Sequence, residues 1–309
     1  MLSHAAFVSS SSFIERTARP LERTLFSFYF EHGSRDAVIA ELAKFQNADG
    51  GFASCIESDT RWCGSSPLGA MKALGILTSL EVPGSDPHVH ALLEYLQANF
   101  DRRGLWHALP KEANVAPHAP WWDVRADTGA AEIESAVFPT AALAGYLQNY
   151  AGFLPPGFVN RVTESSLNYL AAAPVKMKMP DVESLNVLVD SLPPGRRTAA
   201  VDKLKRVIAA LVVQDPRLWT SYNVKPLTFV HSPRSPFYPG SETGIAANLD
   251  YIISTQKDDG GWGLTWSWGD RDAAAWKVAE KEWRGVVALE NLRTLQAFHR
   301  LELSTGIGR

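Results

Sequence analysis

Leu249–Gly263 reads LDYIISTQKDDGGWG, an apolar helical tail running into Gln256, then Lys257-Asp258-Asp259, then Gly260-Gly261 and Trp262. Near the other end of the chain, Leu42–Phe52 reads LAKFQNADGGF, with Gln46, Asp49, Gly50, Gly51 and Phe52 in the same order. Two copies of so specific a phrase mark an internal repeat. Each makes sense as a helix end. Paired glycines supply the left-handed backbone that stops a helix without steric cost, and the aromatic ring folds back over the end. The Gln amide, with two donors and one acceptor, is suited to groups left open at neighbouring helix termini. The phrase therefore reads as a staple between repeats.

Working outward, Gln97–Trp106 and Gln214–Trp219 are looser copies, and a worn one follows Leu170 as AAAPVKMKM. The spacing of about 40 to 75 residues leaves room for two helices per repeat. The segments between the phrases carry helical periodicity and helix punctuation. Pro20 to Phe30 opens with proline and closes before Gly33. Ser34 is placed to cap the next helix, Ser66-Pro67 opens one through Leu77, and Asp86-Pro87 opens one through Leu96. Pro139 to Tyr150, Pro156 to Leu170, Val182 to Leu192 and Thr198 to Val213 follow. A helix through Ile245, Leu249 and Ile253 leads into the opening phrase, and Val286 to His299 closes the chain. No run reads as a strand. The expectation is an all-α chain of roughly eleven to twelve helices in about five to six helix pairs, a single domain over 1–309.

The chain is 46% hydrophobic and 20% charged, ordinary for a protein with a substantial core. A net charge of −3 gives no electrostatic reason to expect nucleic acid or an anionic membrane surface. No window reaches the ~18 uninterrupted apolar residues of a membrane span, and MLSHAAFVSSSSF at the start has neither a basic n-region nor a sustained apolar core. Cys55 and Cys63 are too few for a disulfide framework, so a reducing cytoplasm is the expected compartment.

At the Gln-Gly-Gly-aromatic phrases the chain resembles the terpenoid cyclase and protein prenyltransferase superfamily, whose repeated Gln-Trp motif joins helix pairs into an α/α toroid. Gln46–Phe52 and Gln256–Trp262 carry the resemblance most closely. It implies that fold and a central cavity for an isoprenoid-like or otherwise largely apolar small molecule. The chemistry of the superfamily is matched less well. Its class II cyclases protonate substrate with a DxDD motif, absent here. The nearest segment is Asp181-Val182-Glu183-Ser184, with Glu183 at the donor's place; a helix-dipole role for this acidic pair is the plainer reading. The zinc ligands of its prenyltransferases are not matched either, since Asp59 and Cys63 are four apart instead of two. Trp62-Cys63-Gly64 is faintly similar to the Trp-Cys-X-Gly of lanthionine cyclases, whose Cys-His-Gly is missing. No metal or other cofactor is expected.

In an up-down helical array every second connection emerges at the same end, so the long loops 53–65, 107–135, 215–240 and 263–283 are expected to share one rim. They carry the candidate site residues. Asp59, His118 and Asp123, with Glu183, are the candidate acids and bases. Pro117–Asp123 reads PHAPWWD, and its Trp121 and Trp122, with Trp266, would form an aromatic wall for an apolar or cationic ligand. Arg61 and Arg234 are placed to clamp a diphosphate or carboxylate, with His107 and His231 as further ligand contacts. Two rival readings stand beside this acid–base one. The first is a toroid that binds a ligand or protein partner without turnover. The second is a carbohydrate-active toroid with paired carboxylates and Trp platforms.

Overall fold

The computed structural model describes residues 1–302. Among them are eleven α-helices and no strand, only isolated β-bridges. The helices are α1 (His4–Thr17), α2 (Pro20–Phe30), α3 (Arg35–Ala43), α4 (Pro67–Ser79), α5 (Pro87–Ala98) and α6 (Thr140–Leu147), then α7 (Phe158–Ala172), α8 (Met179–Ser191), α9 (Pro194–Leu211), α10 (Glu242–Ser254) and α11 (Ala273–Ala297). None of the described helices is long and apolar enough to cross a membrane. The punctuation behaves as its chemistry dictates. Ser34, Ser66 and Asp86 accept from the backbone N–H of Ala37, Gly69 and His88, and Pro20, Pro67 and Pro87 sit in the first turns they open.

Two helices depart from expectation. The Ser9–Ser12 run hides α1, because serine competes for its own backbone. Its Phe7, Ser10, Phe13 and Ile14 nevertheless bury one face. α11 begins at Ala273, well before Val286, since Ala273–Ala275 and the Lys and Glu that follow favour helix strongly enough to carry Trp276 and Trp283 within it. The last of the expected long loops is correspondingly shorter.

The chain divides into two compact units, Met1–Lys44 with Val212–Arg309, and Phe45–Leu211. The repeat phrase is built alike in both. In the second unit, Asn47 N–H donates to Gly51 O at 2.8 Å and Gly50 N–H to Asn47 O at 3.0 Å. In the first, Lys257 N–H donates to Gly261 O and Gly260 N–H to Lys257 O, both at 2.9 Å. Asp101, Gly104 and Leu105 repeat the pattern at 3.0 and 3.1 Å. The glycine two places before the aromatic is left-handed each time, with φ of 81° at Gly50, 85° at Gly104 and 90° at Gly260. Trp106 and Trp262 each donate Nε1–H to the carbonyl ten residues upstream, Leu96 and Ile252, at 2.8 Å.

Each close copy then docks on another helix. Gln46 Nε2 donates to His88 O on α5 at 2.9 Å and to Gly50 O at 3.0 Å. Gln256 Nε2 donates to Ala6 O on α1 at 2.9 Å and to Ser10 Oγ at 2.7 Å. The looser copies use other residues. Gln97 bonds its own helix at Leu93 O, and Phe100 takes the slot beside Trp106, ring centroids 4.6 Å apart. In Gln214–Trp219 the indole of Trp219 reaches Val213 O, and Tyr251 donates its hydroxyl to Trp219 O at 2.9 Å. Replacing Trp106 by Phe should cost about 1–2 kcal/mol, because the Leu96 carbonyl loses a buried donor. Urea denaturation would read this, and an unchanged midpoint would remove Trp106 from the joint.

Within the second unit, α6 is buried along almost its whole length, Thr140–Gly145 and Leu147 included, and packs on α8. At Gly145 an added Cβ would lie 2.9 Å from Leu188 Cα, so the two backbones approach as closely as glycine allows. Asp181 on α8, 2% exposed, accepts from the backbone N–H of Val137 and Phe138 at 3.0 and 3.1 Å, and Tyr169 donates its hydroxyl to it. It anchors the segment that enters α6.

Candidate functional site

Residues 53–65 fold as a short hairpin-like loop rather than an open one. Its neck is closed by pairing of Ala53 with Ser65 and by Ser54 N–H donating to Gly64 O at 3.0 Å. Cys55 and Cys63 are joined across it as a disulfide, Cα atoms 5.1 Å apart, within the range a disulfide spans. Their number gave no hint of this, since the bond depends on the loop doubling back. With the pair bonded, the cysteine count no longer speaks for a reducing compartment.

The tip of this loop, Glu57 to Arg61, is mostly buried and polar: Glu57, Ser58, Asp59 and Thr60 are each 5% exposed or less. Buried polar groups must find partners, and the backbone partners here come from the stretch around His118. Thr60 pairs antiparallel with His118, Ala119 N–H donates to Asp59 O at 2.8 Å, and Arg61 N–H donates to Pro117 O at 2.9 Å. The Arg61 guanidinium also donates to the Ser58 carbonyl. Asp59, Arg61 and His118, far apart in sequence, thus share one small structure.

His118 is held at both ring nitrogens. Nδ1 lies 2.6 Å from Ala116 O and Nε2 lies 3.0 Å from Asp123 Oδ1. A carbonyl accepts only, so Nδ1 carries a proton and donates. Nε2 then faces the Asp123 carboxyl group at hydrogen-bond distance. The imidazole is 8% exposed and the carboxylate 39%, so the acid group is the part that meets solvent. Of the adjacent tryptophans, Trp122 is buried against Phe138 at 6.2 Å, and its Nε1–H has no partner among the described residues. Trp121 is half-buried, its carbonyl accepting from Ile133 N–H at 2.9 Å. Anchor and accessible ring are thereby assigned.

His107 belongs to a different arrangement. Its Nδ1 lies 2.6 Å from Glu134 Oε1, and Nε2 lies 3.0 Å from an Arg103 guanidinium nitrogen. Asp101 Oδ2 lies 3.5 Å from the same Nε2, so the ring is flanked by two carboxylates and an arginine. Ala108 N–H also donates to Glu134 Oε2 at 2.9 Å. A surface cleft of about 270 Å³ opens here, lined by Ser65, Tyr95, Asn99 and His107 among others, and by none of Asp59, His118 and Asp123. Burial raises the Glu134 pKa above the usual glutamate value, against opposing hydrogen bonds from Ala108 and His107. A raised carboxyl pKa stabilises the fold fully below the unfolded value and loses that contribution as pH rises through the folded one. Wild type should therefore gain stability relative to Glu134→Gln as pH falls from neutral into the glutamate range. Parallel melting profiles across that range would rule it out.

Glu183 is half-buried on α8, two residues beyond the Asp181 anchor. The remaining candidates lie in the other unit. His231 is reached by solvent yet crowded by protein; desolvation, then the Arg293 charge, hold its pKa below the usual imidazole value. Arg234 is exposed in a turn, its N–H donating to Ser232 Oγ. Trp266 sits between Tyr222 and Trp283, centroids at 6.3 and 5.3 Å. Residues beyond the sequence reading join the second unit's site: Lys72 on α4 pairs with Glu57 at 2.6 Å, and Tyr146 on α6 faces α4 at Gly75. Among the described residues, no cluster of three or more His, Cys, Asp or Glu is arranged to hold a metal ion.

The chain matches no family model and no curated protein. Family likeness therefore rests on the repeated phrase, and function on the chemistry of these side chains.

Proposed function

We propose that this chain is a terpenoid-cyclase-like α/α toroid that binds and transforms a largely apolar, isoprenoid-like small molecule by acid–base chemistry, with His118 and Asp123 at its centre. The observation that carries the reading is the union of Asp59, Arg61, His118 and Asp123 through the Thr60–His118 pairing. Asp123 offers an accessible carboxyl group, His118 a buried proton partner behind it, and Trp121 an apolar face beside it. The toroid reading is supported by the joints. The phrase at 256–262 bonds α1 as the phrase at 46–52 bonds α5, the kind of joint that stapled helix-pair repeats use.

The test is turnover of prenyl diphosphates and of epoxides by the wild type and by single variants. Asp123→Asn and His118→Gln should each lower the rate about a hundredfold, the usual scale for a positioned acid or base, with melting temperatures kept near wild type. Absence of wild-type turnover, or variants that retain it, would sink the proposal. Binding without turnover would select the non-catalytic reading.

A further inference from the structure

Lys72 and Tyr146 lie outside the dyad, yet their setting is unusual. Lys72 and Gly75 are one turn apart on α4 and share a face. The Tyr146 hydroxyl comes across from α6 to that face: a Cβ added at Gly75 would be 3.0 Å from it. Glycine at 75 leaves the room the phenol occupies. Lys72 Nζ is fixed 2.6 Å from Glu57 Oε2; the carboxylate is 5% exposed and the ammonium side chain 39%. Tyr146 is half-buried, and its hydroxyl makes no hydrogen bond to any described residue. A phenol in a crowded place, without a protein partner and still reached by solvent, is positioned for something that is not protein.

The geometry points to a binding site in which the Tyr146 hydroxyl and the Lys72 ammonium together donate to a neutral oxygen acceptor of the ligand, a carbonyl, epoxide or hydroxyl. The Tyr146 hydroxyl meets α4 at Gly75, one turn from Lys72 on the same face. Lys72 is already engaged by the buried Glu57 carboxylate, which leaves it less suited to hold a phosphate or carboxylate than a neutral acceptor. Burial pushes the Tyr146 pKa up against the opposing charge of Lys72, so the hydroxyl keeps its proton and donates. The apolar remainder of the ligand rests on the function proposed above; the oxygen site does not.

The experiment uses the full chain labelled with 3-fluorotyrosine, the resonance missing from Tyr146→Phe giving the assignment. Cyclohexanone is the neutral carbonyl probe, and cyclohexanecarboxylate is the anion with the same ring. The ketone should shift the Tyr146 resonance saturably and the carboxylate should leave it in place. Lys72→Met should weaken the ketone about tenfold, the worth of one charge-assisted hydrogen bond. Because that variant strands a buried carboxylate, the double variant Lys72→Met, Glu57→Gln is measured beside it, with the same loss expected. Gly75→Ala, which crowds the hydroxyl, should abolish the shift. A Tyr146 resonance that ignores the ketone, or that follows the carboxylate at least as strongly, would overturn the assignment. Failure of prenyl compounds to bind, with the ketone shift intact, would reject the apolar-ligand reading and leave this site standing.

Discussion

Gly260→Ala should destabilise the first unit by about 4 kcal/mol. Two costs combine. Gly260 has φ of 90°, and an L-residue in left-handed backbone costs about 1–2 kcal/mol. The added Cβ would also lie 2.2 Å from Ser9 O on α1, an overlap with backbone that no rotamer relieves, and overpacking of this kind adds about 1–3 kcal/mol. Gly240 separates the two. It too has φ of 90°, but nothing lies within 4 Å of its Cβ position, so Gly240→Ala should show the conformational cost alone. Urea denaturation of both variants measures the difference. Equal losses would mean that the 256–262 phrase does not clamp α1.

Asp181→Ala should be nearly as damaging, at about 3–4 kcal/mol. Its carboxylate is the acceptor for two buried N–H groups, Val137 at 3.0 Å and Phe138 at 3.1 Å, and for the Tyr169 hydroxyl at 3.3 Å. A buried donor left without a partner costs about 1–3 kcal/mol. Asp181→Asn keeps a carbonyl acceptor in place and should lose only about 1 kcal/mol. The pair of variants also bears on chemistry. Asp181 and Glu183 are the nearest equivalent here of a proton-donating acidic motif, and a carboxylate spent on two backbone amides is occupied by structure. If Asp181→Ala melted like wild type but lost turnover, that structural assignment would be wrong and the acidic segment would return as a candidate donor.

What could be read from the chain followed from local rules. Ser34, Ser66 and Asp86 announce helix starts because a short polar side chain satisfies the amides of a first turn, and each does so. Gly50 and Gly260 do take the left-handed backbone their position calls for, but they do not stop the helices as expected: α3 and α10 end at Ala43 and Ser254, and the glycines close the turns at 47–51 and 257–261 that follow. His118 and Asp123 each stand out as an acid or base in a proline-stiffened loop, while the hydrogen bond between them is a finding of the structure. Gln97 misled because the phrase tolerates another residue at its first position. Phe100 fills that slot by ring contact, which spacing does not reveal.

Lys72 and Tyr146 carry no signal in the sequence, for a physical reason. A lysine on an amphipathic helix reads as a solvent-facing charge, and a tyrosine in an apolar helix reads as core. Only the approach of α6 to Gly75, and of Glu57 to α4, gives those side chains a shared purpose. The His107–Glu134 contact, 27 residues apart, and the Cys55–Cys63 bond belong to the same class. The sequence by itself determined most of the helices, with α1 and the start of α11 the exceptions, the caps at Ser34, Ser66 and Asp86, and the repeated phrase, because each depends on backbone geometry within one or two turns. Tertiary structure alone decided what the staple grips, which buried carboxylates anchor backbone, and which polar groups come together, because those outcomes depend on contacts between segments that no local pattern encodes.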